Sequence, residues 1–118
     1  MNHVPLITSI VQSTNDLQFH HWNTTSYSQH MALGGAYESM SDLKDTIVES
    51  LVGYYGRFSA IKILPIPSCS LEESPECIME LATTLKALAT KDKHPDLVNI
   101  ADEVTAVAAK LQYLLSLK

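Results

Sequence analysis

The residues of this chain best suited to chemistry are His21, His30, Asp45 and Glu49. At roughly 100° per residue, His21 falls in the middle of an apolar face set by Ile7, Ile10, Val11, Thr14 and Leu17. His30 falls likewise among Leu33, Tyr37, Val48 and Leu51. An imidazole that faces a core needs a hydrogen-bond partner or a metal ion. Asp45 and Glu49, one helical turn apart, add hard oxygen donors, and such a mixed nitrogen and oxygen set suits iron, manganese or zinc. The competing reading of the stripe Glu38, Asp42, Asp45 and Glu49 is a solvated face, since exposed charge needs no partner.

A second group points to a different ligand. Lys44 falls near the centre of an apolar face, where it either snorkels to an edge or meets a buried anion. Arg57, Trp22 and Tyr27 add a cation and aromatic faces, so the four together are candidates for holding a small anionic ligand. No serine–histidine–aspartate order, phosphate-cradling glycine loop or nucleophilic cysteine context accompanies them.

The elements that must position these side chains are helices. Pro5 opens a first amphipathic run, and Asn23, Thr24 and Thr25 disfavour its continuation. Ser26 with Gln29 fits a capping box for a second helix. Its interior glycines, Gly34 and Gly35, have two readings: close approach of a neighbouring helix, or room for a ligand beside His30. Pro65 and Pro67 forbid a long helix after Phe58, and the extended stretch 59–73 is long enough to cross a bundle. Ser74-Pro75-Glu76 starts a third helix, and Lys91 to Pro95 turns into a fourth. The pattern predicts an all-α four-helix bundle over 1–118, with helices at 5–24, 27–55, 75–91 and 95–117 and a long crossover between the second and third. The third and fourth helices carry Glu80 and Glu103 without the histidine of a carboxylate-x-x-His pair. Any metal site is therefore half-built in one chain or shared between chains.

Composition narrows the classes further. With 46% apolar and 18% charged residues the chain is of ordinary globular type. A net charge of −5 without a basic arm argues against nucleic acid as partner. No apolar run is long enough for a membrane span, and MNHVPLITSIV has neither the basic nor the apolar region of a signal peptide. Cys69 and Cys77 match no zinc spacing, and they fit a reduced cytoplasmic protein better than a disulfide framework. Asp16 is the sole acid or base before Glu38 apart from histidines, so the first helix is expected to be buried by a symmetric partner in at least a homodimer.

The set His21-Trp22-Asn23, His30 and Asp45-x-x-x-Glu49 resembles the hallmark of the Dps family of ferritin-like proteins. The stretch 96–117, DLVNIADEVTAVAAKLQYLLSL, is similar to that family's last helix. The resemblance implies a ferritin-like bundle in which His21, His30, Asp45 and Glu49 are iron ligands contributed by two subunits across a two-fold interface. Three departures go with it. Gly34 stands where the family usually has another carboxylate ligand, the turn between His21 and His30 is shorter, and the lysine-rich tail that some members use on DNA is absent. HHWNTTSYSQH with GYYGRF looks closer to small ferritin-like proteins of phages and other viruses, which would place the chain in a host cytoplasm. The resemblance thus implies a degenerate site for iron or another divalent metal, with at most weak ferroxidase activity. The alternative is a non-enzymatic helical module that sequesters a small anion or a host partner.

Overall fold

Each helix begins and ends where local chemistry dictates. A computed structural model describes residues 3–117 and contains α1 (Val4–Asn23), α2 (Tyr27–Tyr55), α3 (Ser74–Lys91) and α4 (Pro95–Ser116). These bounds lie within a residue of those the sequence pattern predicts, and no strand occurs among the described residues. Proline occupies the first turn of α1, α3 and α4, where its missing N–H leaves no hydrogen bond unmade. The capping box at Ser26 is half formed. Its hydroxyl accepts from the Gln29 N–H at 3.3 Å, while the Gln29 side chain instead accepts from Thr24 Oγ1 at 2.6 Å. Gly56, at φ +100°, ends α2 in a conformation that few other residues adopt.

The four helices form one bundle with the pairs α1–α2, α3–α4, α2–α4 and α1–α3 in contact. The core is a continuous stack that includes Ile7, Ile10 and Leu17 from α1, Leu33, Met40, Ile47 and Leu51 from α2, Ile78 and Leu85 from α3, and Leu97, Val104 and Leu111 from α4. Full burial of one such side chain contributes about 1.5–3 kcal/mol. No described helix is long and apolar enough to cross a membrane.

The crossover fixes the topology. It leaves α2 at the lower end of the bundle and climbs along α1, meeting Gln12, then Asp16, then His20. Gln12 Oε1 accepts from Leu64 N–H at 2.7 Å, and Asp16 Oδ2 accepts from the N–H groups of Ser68 and Cys69 at 2.9 and 3.2 Å. His20 Nε2 donates to the Cys69 carbonyl at 2.8 Å. Consequently α3 starts at the upper end beside the close of α1, and every contacting helix pair is antiparallel. One long crossover is also the connectivity of ferritin-like bundles.

Two expectations change here. Asp16 is only 4% exposed, because the crossover covers this flank of α1 within the chain itself. The paucity of charge on α1 therefore has an internal cause on that side and does not by itself require a second subunit. Cys69 and Cys77 are not free thiols: they are joined in a disulfide between the end of the crossover and the first turn of α3. Their sequence spacing hid a spatial neighbourhood that only the crossover creates, and the pair gives no support to a reducing compartment.

Candidate metal site at the turn between α1 and α2

The last turn of α1 and the first turn of α2 face one another across Thr24-Thr25-Ser26, and this hairpin brings His21 and His30 together. Their rings stack with centroids 3.9 Å apart and planes within 15°. The pairing is reciprocal: His21 Nδ1 donates to the His30 carbonyl at 2.7 Å, and His30 Nδ1 donates to the His21 carbonyl at 2.8 Å. A carbonyl only accepts, so each neutral ring carries its proton on Nδ1 and keeps the lone pair on Nε2. Neither Nε2 has a hydrogen-bond partner among the described residues.

Gly34 makes this arrangement possible. A Cβ there would lie 2.8 Å from His21 Cε1 and 3.0 Å from its Nδ1. Its glycine is a packing requirement, met by an imidazole rather than by a helix backbone. Gly35 differs, because a Cβ there would meet nothing within 4 Å.

The remaining candidate residues are not gathered at this point. Asp45 and Glu49 are exposed on α2, 15 and 19 residues beyond His30, which is about 22 and about 28 Å along a helix. Among the described residues no group of three or more histidine, cysteine, aspartate or glutamate side chains is close enough to hold an ion. One chain thus presents two imidazoles at one end and two carboxylates well down the same helix. The stack also constrains ligation. The parallel stack directs the two Nε2 lone pairs along separate planes. A single ion held by both rings requires the stack to open.

The residues of the anion-binding set lie apart in one chain. Trp22 and Tyr27 share the upper end, exposed at 69% and 76%. Lys44 is half-buried, about 25 Å along α2 from Tyr27, and makes no ion pair or hydrogen bond among the described residues. Arg57 follows α2 at the opposite end. The rise along α2 separates the Trp22 and Tyr27 pair from Lys44 and Arg57, and the four do not line one pocket within a chain.

Two clusters escaped the sequence pattern. One is the Gln12, Asp16 and His20 ladder, whose signal was a lone acid on an uncharged helix, flanked by polar residues one turn either way. The other closes the lower end, where Tyr54 stacks on His94 at 3.6 Å and donates to Asp96 at 2.8 Å. Beside it Tyr55 donates to Asp92, and its ring lies 5.6 Å from that of His3. His3 Nε2 donates to the Gly56 carbonyl at 2.7 Å. Burial first, then the hydrogen bond to Asp92, pushes the Tyr55 hydroxyl up to about 12. The bond to Asp96, with lesser burial and charge effects, raises Tyr54 from its ordinary value.

Residues 21–115 match the model of a family described as a family of unknown function, DUF5856. No curated protein and no solved structure matches the chain. The matched region takes in the histidine pair, Gly34, the disulfide and both aromatic ends except His3. The chain belongs to the DUF5856 family.

Proposed function

We propose that this member of the DUF5856 family binds iron or a similar divalent metal at a site completed between two copies. His21 and His30 would come from one copy, their stack opening so that both Nε2 atoms reach the ion, and Asp45 and Glu49 from the other. The observation that carries the reading is the reciprocal use of Nδ1. Histidines that ligate metal characteristically donate their other ring nitrogen to a carbonyl or carboxylate, which fixes ring and tautomer. Both rings here do so, and both leave Nε2 without a partner among the described residues. A second α2 running antiparallel to the first would carry its carboxylates toward the histidine end. Neither carboxylate makes an ion pair among the described residues. Gly34 favours binding over turnover, since the space a further carboxylate would need is filled by the His21 ring. The resemblance to ferritin-like proteins agrees with the bundle's connectivity.

Calorimetric titration of the metal-free protein with zinc or ferrous ion tests this. Wild type should bind, while His30→Ala alone and Asp45→Asn with Glu49→Gln should not. Equal mixing of those two variants, with subunit exchange, should restore about a quarter of the sites, because half of the dimers become hybrids and each hybrid regains one of its two sites. No heat from wild type would leave the histidines as structural partners only.

A second reading rests on Trp22 and Tyr27, large aromatic faces flanking the same turn. On it the upper end docks a partner protein, and metal-free wild type would retain that partner where Trp22→Ala loses it.

A further inference from the structure

We propose that Cys69 and Cys77 form a reversible thiol–disulfide exchange site, reached by small thiols through the groove between α1 and α3. The bridge lines a groove of about 450 Å³, walled by Ser9 and Ser13 of α1, Lys62 of the crossover and Thr84 of α3. That volume lies within the usual range of small-molecule clefts. Both cysteines are half-buried, so the disulfide is neither sealed in the core nor free on a loop tip.

What surrounds the bridge makes its opening a local event. The crossover is held on α1 by Gln12, Asp16 and His20 whether or not the bridge exists. The chain then enters α3 through a turn with its own bonds: Ser70 Oγ donates to Glu73 at 2.8 Å, and Ser74 Oγ donates to the Ser70 carbonyl at 3.1 Å. The cysteines are only 8 positions apart, a short loop whose closure constrains the unfolded chain least. Reduction therefore leaves both attachments in place. It also leaves the thiols as neighbours, one fixed by Asp16 through the Cys69 N–H and the other by the helical backbone of α3. Such a pair is set to close again.

The exchange balances as follows. An external thiolate attacks one sulfur of the bridge, forming a mixed disulfide and releasing the other cysteine as a thiolate. A second external thiolate attacks the outer sulfur of that mixed disulfide and frees the second cysteine. Two protein thiolates take up the two protons of the external thiols, and the external pair leaves as its disulfide.

The oxidised full chain, treated with dithiothreitol in native buffer and quenched with iodoacetamide, gives the reduced fraction by mass. The rate should rise in proportion to dithiothreitol while helical circular dichroism stays constant, and oxidised dithiothreitol should restore the bridge. Thr84→Trp, which fills the groove from an exposed position on α3, should slow reduction about tenfold at unchanged melting temperature, since access controls exchange. Ser9→Trp, on the facing wall, serves where Thr84→Trp does not fold. A rate independent of dithiothreitol, loss of helix on reduction, or wild-type rates in a folded blocking variant would each overturn the proposal.

Discussion

At each end of the bundle two rings stack, His21 on His30 across the α1–α2 turn above and Tyr54 of α2 on His94 of the α3–α4 turn below. The two stacks do different work with their polar atoms. Below, Tyr54 and Tyr55 reach from the end of α2 to Asp96 and Asp92 at the turn between α3 and α4. The tyrosine hydroxyls find their partners across elements, and the arrangement is a clamp. Above, the rings turn back on the main chain of their own hairpin and leave one nitrogen each without a partner among the described residues. A side chain that satisfies itself locally keeps capacity for something external. The upper end also exposes Trp22, Tyr27 and Met31, where the lower end ties its aromatic groups down.

The sharpest way to break this contrast is through the adjacent glycines. Gly34→Val drives methyl groups into the His21 ring and should destabilise the protein by about 2 kcal/mol, within the range for overpacking. It should also abolish metal binding. Gly35→Ala, in open space on the same helix, should stabilise by about 0.5–1 kcal/mol through helix propensity and leave binding intact. Urea denaturation and calorimetry on both variants decide the point, and equal effects would remove the special role of Gly34.

The clamp is probed next. Tyr55→Phe removes the donor to Asp92 and should cost about 1 kcal/mol at neutral pH. The folded state holds the Tyr55 proton more tightly than the unfolded chain, from an ordinary 10.0 up to about 12. Its contribution is therefore complete below pH 10 and is lost as pH rises through about 12. Denaturation midpoints measured from about pH 9 to about pH 11 should fall more steeply for wild type than for Tyr55→Phe. The smallest effect belongs to Tyr54→Phe. Its hydroxyl meets an exposed carboxylate in water, and the midpoint should not move measurably.

The fold was legible because its determinants are local and periodic. Pro5, the Ser26 cap, Gly56 and Ser74-Pro75 mark helix ends without reference to the rest of the chain. His21 and His30 are half-buried and face one another, an encounter that helical phase and a short hairpin made legible. What phase cannot supply is position along the bundle axis for residues in different elements. Lys44, Arg57, Trp22 and Tyr27 have compatible chemistry, yet the length of α2 separates Trp22 and Tyr27 at one end from Lys44 and from Arg57 beyond the other. The disulfide was hidden for the converse reason. Cys69 and Cys77 meet only because the crossover climbs to the His20 end before α3 begins, a path fixed by Gln12 and Asp16.

The crossover's attachment has a consequence best put in the language of binding. Residues 64–69 behave as a peptide ligand tethered to its own receptor, with α1 as the receptor surface and the chain itself supplying a high effective concentration. The contacts are made largely to main-chain groups. Leu64, Ser68 and Cys69 give N–H donors, and Ile66 and Cys69 give carbonyls. Pro65 and Pro67, which carry no N–H, fall between the donors Leu64 and Ser68 and narrow the free conformations of the segment. Recognition of this kind is largely blind to side-chain identity at 64 and 66. Those positions can be recoded freely, whereas proline at 64, 68 or 69 would remove a donor that α1 needs.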